Sequence, residues 1–221
     1  MHKPPVIFVH GLGSTYAANW VRSGWADLVA AEGRTPLGHD MAGHGDAPLL
    51  EPPDDTGPGR LCRQIEESGG PADVVGFSAG SVLALTAAVQ RPDIFHRLVL
   101  MGTGDRSYLL TLEQKRASLA AGMDSPTMAG VRLAAERAGN DFAQVLESSH
   151  HTHPVPSFEE MSVVRCPVLI VLGEDDFVGP ADRLLDALPD ARLVSLRRTD
   201  HFSTTQRFEA QEAVLKFLAE D

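Results

Sequence analysis

Cysteine is scarce in this chain of 221 residues: Cys62 and Cys166 are the only two. They lack the close pairing of a metal-binding motif, so a zinc site and a disulfide framework are both excluded as organising devices, and two free thiols of a reducing compartment are expected. Basic residues are also short, 19 Lys and Arg against 30 Asp and Glu, for a formal net charge of −11. A chain of that balance has no electrostatic footprint for nucleic acid and is repelled by anionic membrane surfaces. No apolar run approaches the roughly 20 residues of a membrane-spanning helix. The run Pro5–Val9 is too short for the apolar region of a signal peptide and leads straight into a glycine loop, so a cytoplasmic location is expected. Internal repeats and low-complexity tracts are absent as well.

What the chain does contain is a regular alternation. Short apolar runs at Pro5–Val9, Arg34–His39, Ala72–Gly76, Arg97–Met101, Pro167–Leu172 and Ala191–Leu196 are separated by helical patterns near Tyr16–Ala31, Gly59–Glu67, Ser81–Gln90, Ala181–Ala187 and Thr205–Leu218. Near-continuous apolar strands alternating with helices describe a parallel sheet covered on both faces. With 43% hydrophobic residues, the chain can bury a sizeable core as one domain.

The chemistry-bearing residues fall at the ends of those strands. Gly76-Phe77-Ser78-Ala79-Gly80 lies between an apolar strand and a helix. Glycine on both sides of a serine at such a junction suits a sharp turn that lifts the hydroxyl above the sheet; at Gly76 and Gly80 a side chain is expected to collide with the opposite limb of the turn. A nucleophilic serine needs a base, an acid to orient it, and donors for the oxyanion. His201, in Thr199-Asp200-His201-Phe202, follows a strand and supplies the base; Gly173-Glu174-Asp175-Asp176 follows another and supplies carboxylates. After the first strand, His10-Gly11-Leu12-Gly13-Ser14 can turn backbone N–H groups toward a common point. All converge on the carboxyl edge of the sheet, where open α/β folds bind ligands.

These four segments, with Asp40-Met41-Ala42-Gly43-His44-Gly45 after the second strand and Pro180 beyond the carboxylates, make the chain resemble the α/β-hydrolase superfamily over nearly its whole length. The resemblance implies a three-layer α/β fold whose mostly parallel sheet has about six strands and lacks the antiparallel hairpin that usually opens the fold. The missing hairpin is a departure from the family pattern, expected because only a few residues precede Pro5. The resemblance further implies Ser78 as nucleophile, Asp176 as orienting acid, His201 as general base, and the N–H groups of Leu12 and Ala79 as the oxyanion hole. Asp175 competes for the acid role; the family spacing Gly-Glu-x-Asp, with a proline four residues on, favours Asp176. No cofactor and no metal is implied.

One stretch breaks the alternation. Residues 104–161 contain helical patterns at Thr111–Ala121, Thr127–Ala138 and Asn140–Glu147 but no convincing strand. In the superfamily this is the place of a lid, so the resemblance implies a helical cap at 104–161 over a core domain made of 1–103 and 162–221. Tyr108, Leu109, Met123, Met128, Phe142 and Phe202 are the expected lining of an apolar pocket, although methionines at helical spacing also suit an ordinary core. His150, His151 and His153 lack a partner carboxylate or cysteine motif and read as a solvated or pocket-lining loop rather than a metal site. His10 and His44, each beside glycine, read as structural hydrogen-bonding groups. The expected activity is hydrolysis of a carboxylic ester or related acyl bond in a small or medium-sized molecule. The scaffold also hosts lyases, cyclases, acyltransferases and ligand receptors that turn over poorly.

Overall fold

A computed structural model describes residues 3–109, 113–114, 117, 122–150 and 154–220. Six parallel strands form the sheet: β1 (Val6–Val9), β2 (Pro36–His39), β3 (Ala72–Phe77), β4 (Phe95–Met101), β5 (Val168–Gly173) and β6 (Ala191–Leu196), in the spatial order β2-β1-β3-β4-β5-β6. The order reverses beside β1, so β1 and β3 are neighbours and the loops that follow them meet.

Side chains alternate across the sheet, and each face is covered by helices. On one face Ile7, Val9, Val74, Leu98, Leu100 and Ile170 pack against α2 (Gly57–Glu67), α3 (Ala79–Gln90) and α7 (Asp182–Ala187), which contribute Leu61, Ile65, Leu85 and Leu184. On the other, Val6, Phe8, Val75, Val99, Met101 and Val171 meet Trp20 and α1 (Trp25–Ala31) together with α8 (Phe208–Leu218). A strand buried on both faces has no polar register to keep, which is why these strands read as unbroken apolar runs. Cys62 and Cys166 are buried, unpaired thiols; burial pushes Cys166 up to about 12, leaving it protonated and inert.

Strand positions agree with the sequence pattern to within a few residues. The segment Tyr16–Ala31, expected as one helix, is instead a π-helical turn, Ala17–Val21, followed by α1. Gly24 sits between them at φ 83, a left-handed conformation that only glycine adopts without strain. Between β4 and β5 lie α4 (Arg106–Leu109), α5 (Pro126–Ala138), α6 (Phe142–His150) and a 3₁₀ turn at Glu160–Val163. The start and end of this stretch belong to the main core, through Tyr108 and Met161. By contrast α5 and α6 share a small cluster of their own, built on Met128, Val131, Ala135 and Val145. Most of the helix expected at Thr111–Ala121 lies outside the described residues.

Candidate active site

Ser78 has φ 54 and ψ −117, an uncommon conformation for a residue with a side chain, forced by the reversal from β3 into α3. The flanking glycines serve two different contacts. A Cβ on Gly76 would lie 2.7 Å from Gly80 O and Ser81 Cα, the opposite limb of the turn. On Gly80 it would instead strike β1, 2.5 Å from Val9 O and from His10 O; the expected collision within the turn is corrected there, because Gly80 is where α3 crosses the first strand. The Ser78 N–H and the Ser81 hydroxyl both donate to Met101 O, at 2.8 and 2.9 Å, and tie the turn to β4.

The serine oxygen lies 2.9 Å from Nε2 of His201. On the far side of that ring, Nδ1 stands 3.0 and 2.9 Å from the two carboxylate oxygens of Asp176. His201 and Asp176 are buried, and Val178 N–H donates to Asp176 Oδ1 at 3.0 Å, which fixes the carboxylate. An Nδ1–H facing a carboxylate leaves Nε2 as an acceptor for the serine hydroxyl. Asp175 is exposed, and its backbone N–H is used by Thr199 O. Three phenylalanines, Phe77, Phe177 and Phe202, enclose the imidazole with ring centroids 4.5–5.3 Å away.

The loop after β1 is held from both sides. Gly11 N–H donates to Asn19 Oδ1 at 3.2 Å and Gly13 N–H to His44 Nε2 at 3.0 Å, with Leu12 between them. His44 Nδ1 donates to Ala42 O, so its ring joins the loops after β1 and β2. His10 does the same in the opposite direction, donating from Nδ1 to Gly11 O and accepting at Nε2 from Met41 N–H. Both rings accept at Nε2 and are therefore neutral. Burial pulls His10 down to about 3, with the neighbouring His44 adding to it, and burial lowers His44 as well. Asn140, between α5 and α6, completes the lattice: its amide donates to Gly13 O and Ser14 O at 2.8 and 2.9 Å, and its oxygen accepts from Gly45 N–H at 2.8 Å. Sequence reasoning missed Asn19 and Asn140, because a lone asparagine carries no signal until its loop partners are known.

Ser78 and His201 open into a cavity of about 920 Å³ between the sheet edge, the π-helical turn and α5. Helix α5 lines it with Thr127, Gly130, Val131, Leu133, Ala134 and Arg137, one face of the helix. Of the six expected pocket residues Phe202 is in the lining. The other five are placed elsewhere. Tyr108 turns into the main core against Phe158, with its hydroxyl 3.4 Å from the Thr103 hydroxyl oxygen. Leu109 is half exposed, and Met123, Met128 and Phe142 face the small cluster between α5 and α6. The stripe of small residues at 130 and 134 was the available signal, since a helix lying over a cavity presents its slimmest face. Among the described residues no group of three or more His, Cys, Asp or Glu could hold a metal ion. His151 and His153 lie outside the described residues, as does the side chain of His150.

Comparison with known proteins agrees with this layout. The sequence profile of the alpha/beta hydrolase family matches residues 6–214. A polyketide synthase of Burkholderia thailandensis, ThaQ, is 27% identical over 98% of this chain, which spans only 12% of that protein's length. Among solved structures, Rv0554 from Mycobacterium tuberculosis superposes with TM-score 0.78 at 22% identity, over 98% of this chain and 90% of that one. The enol-lactonase of Burkholderia xenovorans LB400 gives 0.71 at 20% identity, over 100% and 93%. At such identities the two structures speak for the fold, and the profile, spanning nearly every element of the sheet, speaks for descent. This chain belongs to the alpha/beta hydrolase family.

Proposed function

We propose that this protein is a serine hydrolase that cleaves a carboxylic ester, or a related acyl bond, of a medium-sized molecule. The observation that carries the reading is the unbroken hydrogen-bonded succession Ser78–His201–Asp176, whose serine and histidine line the cavity. In this reading Ser78 Oγ attacks the substrate carbonyl while His201 Nε2 takes its proton, and the protonated ring then hands that proton to the departing alcohol. Asp176 keeps the imidazole in the required tautomer and stabilises its cation. A water, deprotonated by His201, attacks the acyl-enzyme; the acid leaves and the proton returns to Ser78. The N–H groups of Leu12 and Ala79 receive the oxyanion, each at a strand-end turn.

Residues 104–161 act as the cap, with α5 as its substrate-facing part and α6 packed behind it. The chemistry calls for no cofactor and no metal, the partner is a small-molecule acyl substrate, and the location is cytoplasmic. A cavity of about 920 Å³ suits a ligand of medium size. The likeness to an enol-lactonase, an enzyme named for an ester bond, supports the same class. Acyl transfer is the second reading, favoured by the likeness to a segment of a polyketide synthase; adding a competing alcohol and measuring ester product against free acid separates the two.

Treatment with a fluorophosphonate followed by peptide mapping should place the adduct on Ser78, and Ser78→Ala should lower turnover of p-nitrophenyl esters by several orders of magnitude. An adduct on another residue, or turnover that survives in Ser78→Ala, removes the hydrolase reading.

A further inference from the structure

The charge of the cavity contradicts the charge of the chain. Acidic residues outnumber basic ones 30 to 19, yet among the described residues no carboxylate lines the cavity, and apart from His201 the ionisable side chains that do are Arg22 and Arg137. Some arginines elsewhere are matched with acids, as Arg34 is with Asp73, Arg60 with Asp55, Arg91 with Glu66 and Asp93, and Arg192 with Glu220; others are satisfied without one, Arg106 by Phe177 O and Arg132 by the Phe142 ring. Neither cavity arginine has an acidic partner among the described residues. Arg22 reaches the end of α5, its Nη1 donating to the main-chain Arg137 O at 3.0 Å, so one guanidinium meets the backbone of the other arginine at the edge of the pocket.

Their position relative to the serine is set by the helix. A Cβ on Gly130 would lie 2.4 Å from Cζ of Phe202, the residue after His201, so Gly130 marks the reacting end of α5. Arg137 is seven residues further along the same lining face, about 10 Å at a rise of about 1.5 Å per residue. Arg22 approaches from the π-helical turn, three residues beyond Asn19, which holds the loop after β1. Both arginines are exposed, placing them where the cavity meets solvent.

We propose that Arg22 and Arg137 form a carboxylate-binding subsite, and that the substrate is an acidic ester whose carboxylate lies about 10 Å from the bond to be cleaved. The inference rests on the hydrolase reading for its substrate but not for its binding site. Guanidinium groups match a carboxylate in shape and charge and are less strongly hydrated than ammonium, which suits them to this task at a partly open site. At roughly 1.2 Å of reach per bond in an extended chain, 10 Å corresponds to roughly eight bonds.

The test compares charged esters with neutral twins. One pair places the anion on the acyl side: the mono-p-nitrophenyl ester of nonanedioic acid and its ω-methyl ester. The other places it on the alcohol side: O-acetyl-8-hydroxyoctanoic acid and its methyl ester. In one of the two pairs kcat/KM should favour the charged member by about tenfold, through KM, and the preference should collapse near 1 M salt, where charges are screened beyond about 3 Å. In Arg22→Met/Arg137→Met the charged-to-neutral ratio should fall to about one, and Arg22→Lys/Arg137→Lys should restore part of it. Neutral preference in both pairs, or a ratio that survives the double methionine variant, overturns the proposal. Calorimetric titration with nonanedioate reads the subsite without turnover. Saturable binding that is lost in the methionine variant supports the subsite even if Ser78 proves unreactive, and absence of binding to the unmodified protein overturns it.

Discussion

Polar side chains are buried at both rims of the sheet, and they are treated in opposite ways. At the amino rim Arg34 uses its guanidinium on Asp73, on Pro4 O and on Leu218 O, while Asp73 also meets His96 Nδ1 at 2.6 Å. Donors and acceptors there consume one another and lace β3 to the chain before β1 and the end of α8. At the carboxyl rim the chain Asp176–His201–Ser78 ends on an oxygen that faces the cavity. A buried network whose members bond one another contributes rigidity, whereas one whose last member faces open space keeps a capacity for reaction. Burial alone therefore separates neither kind; the last partner in the chain of bonds does.

The sharpest way to test that contrast is within a pair of neighbours. Asp176→Asn should lower kcat by about 10⁴-fold, the size of effect seen when the orienting acid of a serine protease becomes an amide. Asp175→Asn, one residue away and exposed, should leave kcat within about twofold. Steady-state kinetics on one ester settles both, and equal losses would assign the orienting role away from Asp176.

The amino rim should answer in stability instead. Arg34→Met leaves Asp73 buried without its main partner, a change that costs about 3–5 kcal/mol when a buried pair loses one member. Urea unfolding should register the loss, while kcat per folded molecule stays at the unmodified level. A fall in kcat with stability intact would mean that the two rims are coupled through the strands.

Asn140 tests whether the helices between β4 and β5 belong to the carboxyl rim. Its three bonds to the loops after β1 and β2 hold the place where the Leu12 N–H is expected to serve. Asn140→Ala should reduce kcat by about ten- to a hundredfold, up to the loss of about one oxyanion donor, with KM for a short ester little changed. A change confined to KM would make Asn140 a pocket residue and not a positioning residue.

The sheet and the residues at its edge were legible because their requirements are local. Gly76 is demanded by a contact four residues away in the chain, and each strand carries its burial in its own composition. Asp176 and Asp175 could be ranked by spacing, yet only the turn geometry that exposes one and buries the other separates them physically. The cavity wall was not legible. Whether α5 presents Met128 or Gly130 to the site depends on how it docks, and that is decided by Gly13 against Val131 and Gly130 against Phe202, contacts between segments more than 70 residues apart. Apolar bulk pointed to Met128 and Phe142; close docking required the opposite, the small residues.

The smallest effect expected concerns acid, and it separates the rims by pH. His10, His39 and His44 all lie at or just beyond the carboxyl ends of β1 and β2, and burial is the leading cause that lowers all three below the ordinary value of 6.5, His10 to about 3. Asp40 opposes the shift at His39 and His44, and its carboxylate stands 3.5 Å from His10 Nε2. As pH falls below about 6.5 the unfolded chain binds protons at these positions and the native state does not, so stability present above that pH is lost progressively toward about 3. Protonating His44 would also turn Nε2 from acceptor to donor, against the Gly13 N–H it now receives. Denaturant midpoints measured between about pH 7.5 and 4.5 should therefore decline. The decline should be shallower in His10→Gln/His44→Gln, whose amide oxygens can accept the same N–H groups without titrating. An equally steep decline in that variant would move the acid sensitivity away from this rim.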